Sequence, residues 1–170
     1  MRRLILFRHA KAEPRAAGGD DFDRPLAERG RSDAALMGRV LARQGLVPDI
    51  ALVSPARRTA ETWELACQAF PGARLELCDD LYNAGPEDIV AEIGAHEEGA
   101  ETVMVVGHNP GLHEVAVQLL IDGSASAADI ERMSAKFPTA SAAAFLIDAA
   151  GRAAFDGLFL AKEHGGEGEG

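Results

Sequence analysis

Short, wholly apolar runs alternate along this chain with longer amphipathic stretches. Apolar runs of this length are typical of β-strands covered on both faces of a sheet. Six strands are predicted on this basis, at 4–7, 49–53, 74–78, 102–106, 142–147 and 153–160. Between the first four strands and after the fourth, apolar residues recur every three or four positions, which indicates amphipathic helices. Four helices are predicted, at 28–44, 55–70, 86–96 and from Leu112 to Leu120.

Strands that alternate with helices predict a three-layer α/β/α sandwich around a mainly parallel central sheet. We expect one domain over residues 1–162, with its last two strands as antiparallel neighbours. Residues 10–25 are rich in turn-forming residues and predict a mobile surface loop, whereas 122–138 favour no particular element. Residues 163–170 contain glycine and glutamate without an apolar anchor, so a disordered tail is expected there.

Composition and charge narrow the classes of function. The 170 residues contain no apolar run near the length that a bilayer requires. The apolar run at the N-terminus is too short for a secretory signal and is followed by charged residues, so no membrane association is expected. A formal net charge of -10 argues against nucleic acid as a partner. Cys67 and Cys78 have neither metal-ligand spacing nor a disulfide framework, which favours a reducing cytoplasm.

Against this acidic background, cationic or potentially cationic side chains follow three of the predicted strands. Arg8 and His9 follow the first strand, Arg57 and Arg58 the second, and His108 the fourth. Because the carboxyl ends of parallel strands meet at one edge of a sheet, we expect these side chains to converge. Two of the junctions also open helices, whose free N–H groups favour anions. The pattern predicts a site for a multiply charged anion, most naturally phosphate.

The same junctions lack the carboxylate or His/Cys clusters that a catalytic metal needs, and the chain has no glycine-rich phosphate loop. Ser54 lies at a strand-to-helix turn but without the flanking glycines of a nucleophile elbow. Its role is therefore better interpreted as the N-cap of the second helix. A histidine is therefore the expected nucleophile, and neither a metal nor another cofactor is expected.

Four segments in this order and spacing resemble motifs of the histidine phosphatase superfamily (branch 1, phosphoglycerate mutase-like). They are Phe7-Arg8-His9-Ala10-Lys11-Ala12, Arg24-Pro25-Leu26-Ala27-Glu28-Arg29-Gly30, Ser54-Pro55-Ala56-Arg57-Arg58-Thr59-Ala60-Glu61-Thr62 and Val106-Gly107-His108-Asn109-Pro110. The alanine of the first motif, the short chain and Phe137-Pro138-Thr139 are most similar to the SixA-type phosphohistidine phosphatases of that superfamily.

The resemblance implies a phosphoglycerate mutase-like fold and a metal-independent hydrolase in which His9 is the phosphorylated nucleophile. It places the second clamping arginine four residues after the motif's serine, at Arg58, and makes Arg57 an ordinary surface residue. The substrate-binding residues that it implies are Arg8, Arg58, His108 and Asn109. We expect the two clamping guanidiniums to keep His9 neutral, because nearby positive charge disfavours protonation. The implied substrate is phosphate carried on a protein histidine.

The chain departs from many larger members of the superfamily in its general acid. Residues 79–85 contain no glutamate, which leaves Asp79 and Asp80 as candidates for protonating a leaving group. An alkoxide needs that proton more than an imidazole does, so the departure favours protein phosphohistidine. Two alternatives stay open. An inserted lid would favour a small-molecule phosphomonoesterase, and loss of a site histidine or arginine would favour a non-catalytic phosphate-binding module.

Overall fold

The computed structural model describes residues 1–168. Six strands form one sheet: β1 (Arg3–Arg8), β2 (Ile50–Val53), β3 (Arg74–Leu77), β4 (Thr102–Gly107), β5 (Ala142–Ile147) and β6 (Ala153–Phe159). Their order is β3-β2-β4-β1-β5-β6, in which β1 to β4 are mutually parallel and β5 runs antiparallel to both of its neighbours, β1 and β6. The five α-helices are α1 (Glu28–Arg43), α2 (Arg57–Ala66), α3 (Pro86–His96), α4 (Gly111–Asp122) and α5 (Ala127–Ala135). The predicted α/β fold is confirmed.

The sheet has a hydrophobic core on each face, which explains why β1 is apolar at successive positions. Leu4 and Leu6 pack with α3, α4 and α5 on one face, whereas Ile5 and Phe7 pack with α1 and α2 on the other. All four side chains are at most 3% exposed. Because side chains alternate between the faces of a strand, a strand buried on both sides must be apolar throughout.

The structure differs from the sequence prediction at the start of α2 and within the segment 122–138. The second helix begins at Arg57, and Ser54 is not its N-cap, because Ser54 to Ala56 stay extended and Ala56 occupies the cap without a side-chain hydrogen bond. A proline disfavours helical geometry in the residue before it, which holds Ser54 outside the helix. The polar segment 122–138 contains α5, which Ser126 caps by accepting the N–H of Asp129.

The described part of the chain end contacts helix α1 through polar groups. Residues 161–164 form a 3₁₀ turn, and the carboxylate of Asp33 accepts the N–H groups of Glu167 and Gly168 at 3.1 and 2.9 Å. Asp33 is itself buried. Asp33 thus gives residues 167 and 168 a polar contact in a segment that lacks an apolar anchor, and the disorder of the tail stays a prediction. Residues 169–170 of the predicted tail lie outside the described residues.

The predicted loop 10–25 is closed at its base by an antiparallel bridge between Ala12 and Leu26. In the part of the chain that the structure describes, no helix combines the length and apolarity needed to cross a membrane.

Helix α1 approaches the segment after His9 closely at Gly30. A Cβ atom on Gly30 would lie 2.0 Å from the carbonyl oxygen of Lys11, which also accepts the N–H of Ala27. Both sides of this contact are backbone, so neither can rotate away. The absence of a side chain at Gly30 thus sets the position of the residues that follow the predicted nucleophile.

We predict that Gly30→Ala destabilises the fold by about 1–3 kcal/mol, because a methyl group forced into a packed contact must displace backbone. The matched control is Gly94→Ala in α3, where an added Cβ meets nothing within 4 Å. That control should be neutral or stabilise by about 0.5–1 kcal/mol, as alanine favours a helix. Urea denaturation of both variants measures the difference, and equal midpoints would contradict the close approach.

Candidate active site

The side chains predicted from three separate junctions meet at the carboxyl edge of the parallel strands. Adjacent strands hold the junctions in register: the N–H of His9 donates to Gly107 and the N–H of Ser54 to Val106, each at 3.0 Å. Together they enclose a pocket of about 270 Å³. Its lining residues are Arg8, His9, Lys11, Ala12, Arg24, Arg58, Asn83, His108, Asn109 and Thr139.

His9 has a defined tautomer. Its Nδ1 lies 2.7 Å from the carbonyl oxygen of Ala10. A carbonyl oxygen only accepts, so Nδ1 carries the hydrogen and the neutral ring keeps its lone pair on Nε2. The N–H of Ala10 in turn donates to Thr62 Oγ1 at 3.0 Å, and this bond holds Ala10 and its carbonyl in place. The ring is 9% exposed, and its free nitrogen is a nucleophile of the kind that phosphoryl transfer requires.

Burial is the main reason why His9 is neutral. It lowers the pKa of His9 from its usual 6.5 to about 3, against the hydrogen bond to Ala10, which raises it. His108, Arg8 and Arg58 contribute smaller electrostatic decreases to the same pKa. The two guanidiniums thus disfavour protonation of the ring, as expected, and burial, which penalises the charged imidazolium, contributes more.

His108 lies against His9, with ring centroids 5.3 Å apart. Its Nε2 is 2.7 Å from Ser54 Oγ, whereas its buried Nδ1 has no hydrogen-bond partner among the described residues. Burial, followed by the charge of Arg58, lowers the pKa of His108 to about 4. When the Ser54 hydroxyl donates to Nε2, the neutral ring carries its hydrogen on Nδ1. His108 then offers an unpaired donor to a phosphoryl oxygen.

Ser54 supports His108 and is not a nucleophile. Ser54 is fully buried, at 0% exposure, its hydroxyl is bonded to His108, and unlike His108 it does not line the pocket. Sequence reasoning assigned this serine to a helix cap and missed its contact with His108. The motif Ser54-Pro55 contained the signal, because the proline keeps the serine outside the helix.

Two guanidiniums flank the histidines. Arg58 is 6% exposed and donates from its two terminal nitrogens to the backbone oxygen and the Oδ2 of Asp21, at 2.9 and 3.2 Å. Arg8 donates to the carbonyl oxygen of Phe137 at 3.0 Å, and its buried Nε has no hydrogen-bond partner within residues 1–168. Each guanidinium has further N–H donors, which suit a tetrahedral oxyanion. Arg57 is exposed and pairs with Glu61, as expected of a surface residue.

Asn109 shares its backbone partner with Arg8. Its Nδ2 donates to the Phe137 carbonyl oxygen at 2.9 Å, and its buried Oδ1 accepts no hydrogen bond from the part of the chain that the structure describes. The sequence had included Phe137 in a family-like motif without giving it a role. In the structure, its carbonyl holds two of the predicted substrate-binding side chains in place.

Asp21 is a second residue that sequence reasoning missed. Its carboxylate accepts hydrogen bonds from Arg24 at 2.8 Å and from the hydroxyl of Tyr82 at 2.8 Å, in addition to Arg58. Arg24 first, then Tyr82 and Arg58, hold the pKa of Asp21 well below its usual range. Asp21 is therefore an ionised anchor and not a proton donor. Only a run of aspartates in the loop 10–25 marked this position in the sequence.

Among the described residues, no aspartate or glutamate lines the pocket. Asp79 and Asp80 are exposed on a 3₁₀ turn and do not line the pocket. The residue of this segment that lines the pocket is Asn83, whose amide does not act as a Brønsted acid at ordinary pH. The described lining of the pocket is thus cationic, which suits an anion, and it includes no carboxylic acid.

The chain is similar to known proteins along most of its length. Residues 4–85 match the sequence model of the histidine phosphatase superfamily (branch 1). An uncharacterized protein of Mycobacterium tuberculosis is 38% identical over 137 residues, which cover 80% of this chain and 84% of that protein. The crystal structure assigned as the phosphohistidine phosphatase SixA of Agrobacterium tumefaciens has a TM-score of 0.81 and 30% identity, covering 93% of this chain and 97% of the other. The structure assigned as SixA of Nakamurella multipartitia has a TM-score of 0.79 and 29% identity, and the match covers 93% of this chain and 95% of the other.

Both pocket histidines should stay uncharged between about pH 5 and 8, where histidine ordinarily titrates. NMR titration of the ring resonances measures this in the ligand-free protein. His9 and His108 should not shift in that interval, whereas the same rings in the urea-unfolded chain should titrate near their usual value of 6.5. A midpoint near 6.5 for either ring in the folded protein would contradict the effect of burial.

The same depressed pKa values make stability depend on pH. Since the unfolded chain binds these protons first, the stability that the neutral rings contribute is present above about 6.5 and is lost as the pH falls toward 4 and 3. Near pH 5, His9 and His108 alone should add roughly two protons to the uptake on unfolding.

Proposed function

The chain belongs to the histidine phosphatase superfamily (branch 1), and we propose that it is a metal-independent phosphatase that hydrolyses phosphohistidine on proteins. One observation carries the proposal: the unprotonated Nε2 of His9 lies in a cationic pocket that contains no evident general acid. The first half of that observation supports a phosphohistidine intermediate, and the second supports the choice of substrate.

In the first step, His9 Nε2 attacks the phosphorus atom. The new bond joins Nε2 to phosphorus, the bond from phosphorus to the substrate nitrogen breaks, and the departing imidazole takes its proton from water. Phosphorylation makes the His9 ring cationic, and the Ala10 carbonyl stabilises that charge through Nδ1–H. Arg8, Arg58 and the Nδ1–H of His108 would face the phosphoryl oxygens, where fixed donors stabilise the transition state.

In the second step, water attacks the phosphorus atom of phospho-His9. The bond to Nε2 breaks, inorganic phosphate leaves, and the lone pair returns to Nε2. The proton that the water loses is carried away by the phosphate, which titrates near neutral pH. The same donors serve both steps, since the reacting group occupies the same place in each.

The leaving group decides between substrates. General acid catalysis typically contributes about 10²- to 10⁴-fold when an alkoxide must be expelled. Asn83 and the ionised Asp21 cannot supply that proton, whereas an imidazole departs more readily without a positioned acid. The pocket chemistry therefore favours a phosphoramidate over an aliphatic phosphoester.

The surroundings of the pocket support a protein as the carrier. A surface groove of about 500 Å³ shares Arg8 and Asn109 with the pocket. Lys136 and Lys162 also line this groove, so a polypeptide bearing the phosphorylated side chain would meet positive charge beside the pocket. The Agrobacterium protein with the similar structure is assigned as a phosphohistidine phosphatase, which agrees with this choice.

We predict that the phosphoryl group passes through His9. Labelled phosphohistidine peptide should give, after a rapid quench, a label on His9 that is lost in acid and stable in alkali. His9→Asn should take up no label, whereas the matched control His164→Asn, which alters an exposed ring away from the pocket, should be labelled like the wild type. Label on Ser54, or an acid-stable label, would refute the intermediate.

We also predict a preference between matched substrates. The kcat/KM for a phosphohistidine peptide should exceed that for the phosphoserine peptide of the same sequence by at least about 10²-fold, which is the smaller contribution of a missing acid. Asp79→Asn and Asp80→Asn should leave both values unchanged, because these side chains lie outside the pocket. Equal values for the two peptides would favour a general phosphomonoesterase.

A further inference from the structure

A cluster of potential metal ligands lies outside the active site, between β3 and α3. Cys78, Glu92 and His96 each place one ligand atom within 4.8 Å of the other two. Glu92 and His96 are one helical turn apart on α3, and Cys78 directly follows β3. Within 1–168, this is the one such group of three. The spacing of the cysteines did not reveal it, because the fold brings Cys78 to a helix that begins later in the chain.

The donor set is suited to a transition metal. The Cys78 residue is 6% exposed, and the side chains of Glu92 and His96 are 18% and 29% exposed. His96 Nδ1 donates to the backbone carbonyl oxygen of Glu92 at 2.9 Å and lies 3.6 Å from Glu92 Oε2, and the lone pair of the neutral ring is then on Nε2. Metal-binding histidines commonly have one ring N–H engaged in this way. The carboxylates of Glu76 and Asp79 also act on the thiol electrostatically, so the site attracts cations.

We propose that Cys78, Glu92 and His96 bind one Zn²⁺ ion. Zinc accepts thiolate, imidazole and carboxylate together, with bonds of about 2.0–2.3 Å. Tetrahedral donors at such bond lengths lie roughly 3.5 Å apart, so small side-chain rotations from the observed separations suffice. Water would complete the coordination. On binding, the thiol loses its proton to solvent, and the ion balances the charges of the thiolate and the carboxylate.

The bound ion would brace the connection between β3 and α3. This connection contains Tyr82 and Asn83, of which Tyr82 donates to Asp21 and Asn83 lines the pocket. The three ligands flank this connection: Cys78 precedes its 3₁₀ turn, and Glu92 and His96 lie on α3, which follows it. The ion's role is thus to stabilise the segment, and it takes no part in the chemistry at His9.

The test uses the untagged full chain, freed of metal with EDTA and then titrated with Zn²⁺ and Co²⁺. We expect one Zn²⁺ per chain, a thiolate-to-cobalt charge-transfer absorption with Co²⁺, and a rise in Tm of about 5–10 °C at a hundredfold excess over Kd. Cys78→Ser and His96→Gln should each weaken Zn²⁺ binding by at least about 100-fold, the upper range for the loss of supporting residues.

The matched controls are Cys67→Ser and His164→Gln, which remove the same donor types elsewhere and should bind Zn²⁺ like the wild type. Because Glu92→Gln keeps the shape of a partly exposed side chain, it should fold normally and still lose the Tm response. The proposal is overturned if the wild type binds no stoichiometric Zn²⁺, or if the ligand variants bind it unchanged. Metal-free wild type should keep its phosphatase activity, so a loss there would count against the proposed mechanism and not against this site.

Discussion

The hydrogen bond from His9 Nδ1 to the carbonyl of Ala10 is the constraint on which the rest of the site depends. Burial removes the ring's charge, but only this bond decides which nitrogen keeps the lone pair. The geometry is supported by the fold at several points, since Ala10 also donates to Thr62 on α2 and the His9 carbonyl accepts from Ala140. A shift of β1 relative to α2 would disturb the tautomer before it disturbed the core.

The architecture and the main cations could be predicted from the sequence for a physical reason. A strand buried on two faces must be apolar, so β1 and β4 can be recognised from their sequences. The side chains that follow parallel strands must then converge at one edge of the sheet. This reasoning brought Arg8, His9 and His108 together without knowledge of any distance. It left Arg57 and Arg58 unresolved, because both follow the same strand. The exposure of Arg57 and the burial of Arg58 separate them in the structure.

Contacts between polar side chains distant in sequence could not be predicted in the same way. Ser54 has a local alternative as a helix cap, and only the fold shows its hydroxyl against His108. Asp21 is one acidic loop residue among several until Arg58 and Tyr82 approach it. The Asp33 anchor of the chain end has no periodic signature either. Each interaction depends on one pair of atoms, whereas hydrophobic periodicity is repeated over many residues and tolerates exceptions.

The electrostatics of the pocket combine two opposing requirements. A phosphatase of this kind needs positive charge to hold a phosphoryl group, yet it must release phosphate, which carries similar charge. Asp21 accepts two hydrogen bonds from Arg58, and the remaining N–H groups of Arg58 are left for the ligand. The carboxylate also offsets part of the guanidinium charge at short range. Arg58 is thereby oriented by an anion of the protein itself, so donor geometry, more than net charge, would distinguish the transferring group from the product.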